Sequence, residues 1–101
     1  MGFDIVIYQV NSRKTVVELS ETSQKELFGN NNLAKEMLIS SQLSDFYKTN
    51  LLLSADNIKI WLKELNVLNE FYLSNDSKLQ LQNLIDALTK NLIEKVHIAG
   101  D

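Results

Sequence analysis

The sequence predicts a single α+β domain that is mostly helical. An N-terminal antiparallel β-hairpin is expected first, followed by about four helices, of which the last two form a long helical hairpin. The main observation is that the spacing of apolar residues changes from two before Leu19 to roughly 3.6 after it. The second is the length of 101 residues, which is enough for one hydrophobic core but not for two. Residues 1–101 are therefore assigned to one domain.

The opening segment predicts the β-hairpin. Residues 3–10 are β-branched, aromatic and apolar, which is typical of a strand with both faces largely buried. Residues 11–14 are polar and predict a turn, and residues 15–19 predict the second strand. Because two strands alone are only marginally stable, the hairpin needs helices against it or a third strand. The short apolar runs at 51–53 and 96–98 could supply that strand, and the sequence leaves this question open.

Two less regular helices are expected after the hairpin. A short helix is predicted over residues 23–28, because Ser23 and Glu26 have the spacing of a capping box and Gly29 offers a C-terminal stop. Residues 33–47 are helical in composition, but their apolar positions drift around the helix. A break is predicted at the serine pair within this range, since serine side chains compete for backbone hydrogen bonds.

The last two helices have the strongest patterns. Ser54 is expected to cap a helix over residues 55–73, and the polar turn 74–77 is expected to cap a helix over residues 78–96. The final helix carries an apolar stripe with spacings of three and four residues. Its members are Leu81, Leu84, Ile85, Leu88, Leu92 and Val96. The short link between the two helices predicts an antiparallel helical hairpin.

The composition argues against catalysis. The chain has no Cys and one His, and its acidic residues are scattered singly along the sequence. Acid–base chemistry near neutral pH most often uses His, while nucleophile and metal sites draw on Cys, His or clustered carboxylates. The three glycines do not form a phosphate-binding loop. We therefore predict that the chain is not an enzyme and that it binds no cofactor and no metal.

The charge narrows the choice of partner. The net charge is −3, and Arg13 is the single arginine, so a basic face suited to nucleic acid is not expected. No apolar run approaches the ~20 residues that cross a bilayer, so no membrane association is expected. The absence of Cys fits a reducing compartment, and a cytoplasmic location is predicted. An acidic surface favours a basic protein partner.

The helix predicted over residues 55–73 is apolar on two faces. Ile60, Val67 and Phe71 form a second stripe, nearly opposite the main apolar face, with Glu64 between them. A central helix covered on both sides would explain the two faces. Alternatively, the second stripe is partly exposed and contacts a partner or a second copy of the chain.

A short, acidic chain that is rich in Asn and Lys and lacks catalytic groups resembles the small immunity proteins of contact-dependent growth inhibition systems and of colicins. The resemblance implies a cytoplasmic inhibitor that binds one toxin domain, often a basic nuclease. Its carboxylates would block the active site by standing in for substrate phosphates. The candidate partner-binding residues are Glu18, Glu21, Glu64, Glu70 and Asp76, with Ile60, Val67 and Phe71. The alternative is a homodimeric structural or regulatory module that associates through the second stripe.

Overall fold

The computed structural model describes residues 2–44, 49–71, 73–90 and 92–100. These residues form a four-stranded antiparallel sheet with the strand order β2-β1-β4-β3, and three α-helices. The elements are β1 (Gly2–Gln9), β2 (Lys14–Ser20), α1 (Glu21–Gln24), β3 (Asn50–Ser54), α2 (Ala55–Leu68), α3 (Asn75–Lys90) and β4 (Ile93–Ala99).

The predicted fold class is wrong. The hairpin β1–β2 forms, but it is only half of the sheet, and the last described element is a strand, β4, instead of the second helix of a helical hairpin. The helix predicted over 78–96 ends at Lys90, and Val96 instead pairs with Ile7 of β1 and with Leu53 of β3. Both short apolar runs therefore join the sheet. The hairpin is extended by two strands, β4 and β3, where the sequence left open whether there would be even one.

The sheet has one buried and one exposed face. Along β1, Phe3, Ile5 and Ile7 are fully buried, whereas Asp4 on the alternate side is exposed. This alternation is the period of a strand with one face in the core. The prediction that both faces of this strand are largely buried is therefore wrong. The edge strands of the sheet are β2 and β3, while β1 is paired on both sides.

Helices α2 and α3 cover the buried face of the sheet. Ser54 caps α2 as predicted, because its side chain accepts a hydrogen bond from the backbone N–H of Asn57. The helix ends at Leu68, before the predicted residue 73, and α3 already begins at Asn75. The buried helical side chains are Ile58, Trp61, Leu65 and Leu68 on α2, and Leu81, Leu84, Ile85 and Leu88 on α3. Within the described ranges, no helix is long and apolar enough to cross a membrane.

The segment between β2 and β3 is less regular than predicted. Helix α1 begins after Ser20, whose side chain is the N-cap, and it continues into a π-helical turn over Lys25–Gly29. Gly29 has no positive φ and is therefore not a left-handed helix stop. Two 3-10 turns, Ala34–Glu36 and Ser40–Leu43, replace the helix predicted over 33–47. Residues 45–47 of that prediction lie outside the described residues.

Candidate binding surface

The N-termini of α1 and α3 lie side by side and are joined by serine hydroxyls. Ser20 and Ser74 each accept a hydrogen bond from the backbone N–H of the serine three residues later. The two recipients of these caps, Ser23 and Ser77, are buried and bond to each other through their hydroxyls at 3.1 Å. The side chain of Gln80 also accepts from the backbone N–H of Ser20 at 2.8 Å. The end of β2 is thereby fastened to the start of both helices.

The C-terminus of α2 lies at the same end of the molecule. Lys78 Nζ donates a hydrogen bond to the carbonyl oxygen of Asn69, the residue that follows α2, at 2.8 Å. The carboxylate of Glu26 accepts from the backbone N–H of Ser74 at 2.6 Å, which ties the link between α2 and α3 to the π-helical turn. Four element ends therefore meet here: those of β2, α1, α2 and α3.

Carboxylates collect at this end, which we term the acidic end. Glu21 is the first residue of α1 and Asp76 lies in the first turn of α3, where the helix dipole favours negative charge. The Lys25 ammonium is 3.6 Å from the carboxylate of Glu21. Among the described residues, the acidic end comprises Asp4, Glu18, Glu21, Glu26, Glu70 and Asp76, with Lys25 and Lys78 as basic residues. Four of the predicted contact carboxylates, Glu18, Glu21, Glu70 and Asp76, thus lie at one end of the molecule.

Glu64, the other predicted carboxylate, has a different position. It lies on α2, and its two oxygens accept hydrogen bonds from the backbone N–H groups of Ile39, at 3.1 Å, and Ser40, at 2.8 Å. A carboxylate is well suited to this role because it accepts in two directions and donates none. Glu64 is therefore engaged inside the molecule, and the structure does not bring it together with the other four.

The predicted second stripe of α2 lies at the surface. Ile60, Val67 and Phe71 are 38%, 41% and 51% exposed, whereas Trp61 on the main face is fully buried. Val67 and Phe71 are next to the acidic end because they lie where α2 ends. Leu38 is 64% exposed and precedes Ile39, whose backbone N–H donates to Glu64 of α2. No local sequence pattern indicates that Leu38 is exposed here, because its position depends on the bond between Ile39 and Glu64.

The end of the molecule opposite the acidic end carries a basic group beside an apolar cavity. A cavity of about 320 Å³ there is lined by Gln9, Val10, Asn11, Lys90 and Leu92. Among the described residues, its lining is largely apolar and holds the ammonium group of Lys90 but no carboxylate, hydroxyl or imidazole for proton transfer. Over the part of the chain that the structure describes, no group of three or more His, Cys, Asp or Glu residues could hold a metal ion.

Comparison of the chain with protein-family models, with curated proteins and with solved structures found no match. The chemistry of the acidic end and the stripe is therefore the basis for the functional proposal.

Proposed function

We propose that this chain is a cytoplasmic binding protein that neutralises a cognate bacterial toxin, and that its acidic end covers the basic active-site cleft of a nuclease domain. The observation that carries the proposal is that Glu18, Glu21, Glu70 and Asp76 lie at element ends that hydrogen bonds join, with the exposed Phe71 next to Glu70 in sequence. The resemblance to toxin-immunity proteins supplies the class of partner. The geometry of the acidic end supplies a surface that such a partner fits.

The charge distribution supports this choice of surface. Among the described residues, six carboxylates and two ammonium groups stand at the acidic end, whereas Arg13, Lys14, Lys90 and Lys95, with the carboxylates of Asp56 and Glu94, lie towards the opposite end of the sheet and of α3. A molecule with separated charges turns one end towards a basic cleft during encounter, which raises the association rate. Carboxylates at helix N-termini also suit the replacement of substrate phosphates, because their positions are fixed by the helices that carry them.

The neighbouring apolar side chains support a protein partner in particular. Phe71 and Val67 are half-exposed at the border of the acidic end. An aromatic side chain surrounded by charged residues is typical of a binding hot spot, in which the apolar centre contributes affinity and the charged rim contributes rate and specificity. A single surface can therefore combine both parts of the predicted contact set.

The proposal predicts that a toxin-domain gene lies next to the gene for this chain, and co-expression of the chain with that toxin domain tests it. The wild-type chain should restore growth of cells that produce the toxin domain. The double variant Glu70→Lys with Asp76→Lys should not, because it reverses two exposed charges in the centre of the proposed contact.

A matched control separates the effect of position from the effect of net charge. Asp56→Lys with Glu94→Lys makes the same charge change at exposed residues away from the acidic end, and Asp56 lies in the first turn of α2 as Asp76 lies in that of α3. This control should protect like wild type. If both variants protect the cells, the acidic end does not contact the toxin. If the toxin remains toxic in the presence of the wild-type chain, the proposed function is wrong. Thermal unfolding of each purified variant verifies that it is folded.

The alternative function is a homodimeric interaction module that associates through the stripe. The observation in its favour is the exposure of Ile60, Val67 and Phe71 on α2, together with that of Leu38 in the segment that Glu64 binds. In that case Val67→Lys should abolish self-association in light scattering, and a toxin domain should not bind.

A further inference from the structure

The face of the sheet that points away from the helices has its own pattern. The register of the strands aligns residues in rows that cross all four strands. The central row consists of Val16, Val6, His97 and Leu52. Val16 and Leu52, at its two ends, are 55% and 61% exposed. Val6 and His97, between them, are partly exposed, so the row lies on the face opposite the buried side chains of Phe3, Ile5 and Ile7.

The rows on either side of the central row carry opposite charges. The acidic row contains Glu18, Asp4, Ala99 and Asn50, and the basic row contains Lys14, Tyr8, Lys95 and Ser54. We term these three rows together the outer face. Its charges are therefore not mixed at random, since every carboxylate of these rows lies on one side of the central row and every ammonium group on the other.

The acidic row is unfavourable in an isolated molecule. Asp4 and Glu18 are direct cross-strand neighbours, and like charges in this position repel each other and destabilise the sheet. In the basic row, Lys95 Nζ lies 5.0 Å from the centre of the Tyr8 ring, which keeps its charge above the sheet. A positive partner over the acidic row and a negative partner over the basic row would relieve the repulsion.

We infer that the outer face binds the outer face of a second copy of this chain, with a two-fold axis that runs along the central row. Rotation about this axis places the acidic row of each copy over the basic row of the other. The apolar ends of the central row, Val16 and Leu52, then meet their own copies. Such an isologous contact between two sheets is self-complementary in both charge and apolarity.

The imidazole of His97 does not obstruct this contact. Its Nε2 is hydrogen-bonded to Oδ1 of Asn50 within the same copy. These two atoms therefore have a partner before the second sheet binds, and burial does not leave them unsatisfied.

The size of the outer face sets the strength of the association. Strands about 4.8 Å apart and about six residues long at ~3.3 Å per residue give a face of roughly 20 by 20 Å. Two such faces bury on the order of 800–1,000 Å², which is below the ~1,200–2,000 Å² of stable complexes. The dimer is therefore transient, and salt weakens it because the charged rows lie at its rim.

Sedimentation velocity over a range of protein concentrations tests this inference with two complementary variants. Lys14→Glu with Lys95→Glu makes both flanking rows acidic, and Asp4→Lys with Glu18→Lys makes both basic. Each variant alone should be monomeric at concentrations where the wild type forms dimers. An equimolar mixture of the two should recover the dimer, because an all-acidic face then meets an all-basic one.

A second pair of variants tests the apolar row. Leu52→Lys should weaken the dimer by about tenfold or more, whereas Leu79→Lys, which is equally exposed on α3, should leave it unchanged. This pair also decides the outcome if a charge variant does not fold. A wild-type chain that stays monomeric at submillimolar concentration overturns the inference, as does a mixture that fails to associate. Loss of the dimer in Val67→Lys but not in Leu52→Lys would assign self-association to the stripe instead.

Discussion

Glu64 and Ser40, which are 24 residues apart in sequence, are joined by a hydrogen bond of 2.8 Å from the backbone N–H of Ser40 to the Glu64 carboxylate. The other carboxylate oxygen accepts from the N–H of Ile39. These bonds fasten the irregular segment between α1 and β3 to the middle of α2. They also explain why a charged residue occurs between the apolar residues Ile60 and Val67.

Removal of this carboxylate should destabilise the fold. Glu64→Ala leaves two backbone N–H groups without their acceptor, and we expect a loss of about 1–3 kcal/mol in the free energy of unfolding. Urea denaturation provides the measurement. Glu70→Ala is the control, because Glu70 is exposed at the end of the same helix and its replacement should change stability by less than about 0.5 kcal/mol. Equal effects would show that the bonds of Glu64 contribute nothing.

The apolar stripe predicted for the final helix provides a second test. Leu88 is 5% exposed at the interface of α3 with the core, and Leu88→Ala should cost about 2–5 kcal/mol. Leu92 belongs to the same predicted stripe but is 81% exposed, so Leu92→Ala should be within about 0.5 kcal/mol of wild type. A loss below ~1 kcal/mol for Leu88→Ala would mean that the packing of α3 is misassigned.

The position of Leu92 also shows why the last strand was predicted as helix. Leu88, Leu92 and Val96 are spaced by four, which matches the period of a helix. Residues 96–98 equally match the period of a strand, because Val96 and Ile98 are both buried and lie two apart. The local spacing of apolar residues therefore cannot decide between a helix and a strand for this segment. The decision comes from pairing with β1 and β3, which are distant in sequence, and this pairing satisfies the backbone of β4 on both sides.

The acidic end was predictable in part. A short link between α2 and α3 is visible in the sequence, and it places Glu70 near Asp76. The position of Glu18 relative to this pair depends on the bond between Ser20 and Gln80, which are 60 residues apart. The hydrogen bonds of Glu64 could not be predicted from the sequence either, because their donors are backbone N–H groups, which have no sequence signature.

The buried side chain of Gln24 predicts another stability effect. Its Nε2 donates to the carbonyl oxygen of Leu43 at 2.8 Å and to that of Ser44 at 3.2 Å. Gln24→Ala should cost about 1–3 kcal/mol, because a buried carbonyl loses its donor. Gln42→Ala removes an exposed bond to the carbonyl of Leu38 and should cost less than about 0.5 kcal/mol. Thermal or urea unfolding of both variants distinguishes the two sites, and equal losses would contradict the assignment.

The most direct test of the proposed function is the association rate constant with the purified toxin domain, measured by stopped flow as a function of ionic strength. The wild-type rate should fall as salt increases, because the acidic end steers the encounter with a basic cleft. Glu70→Gln with Asp76→Asn should associate more slowly and depend less on salt. Asp56→Asn with Glu94→Gln, which removes the same charge elsewhere, should behave like wild type. A wild-type rate that does not change with salt, or equal slowing by both variants, would contradict binding through the acidic end.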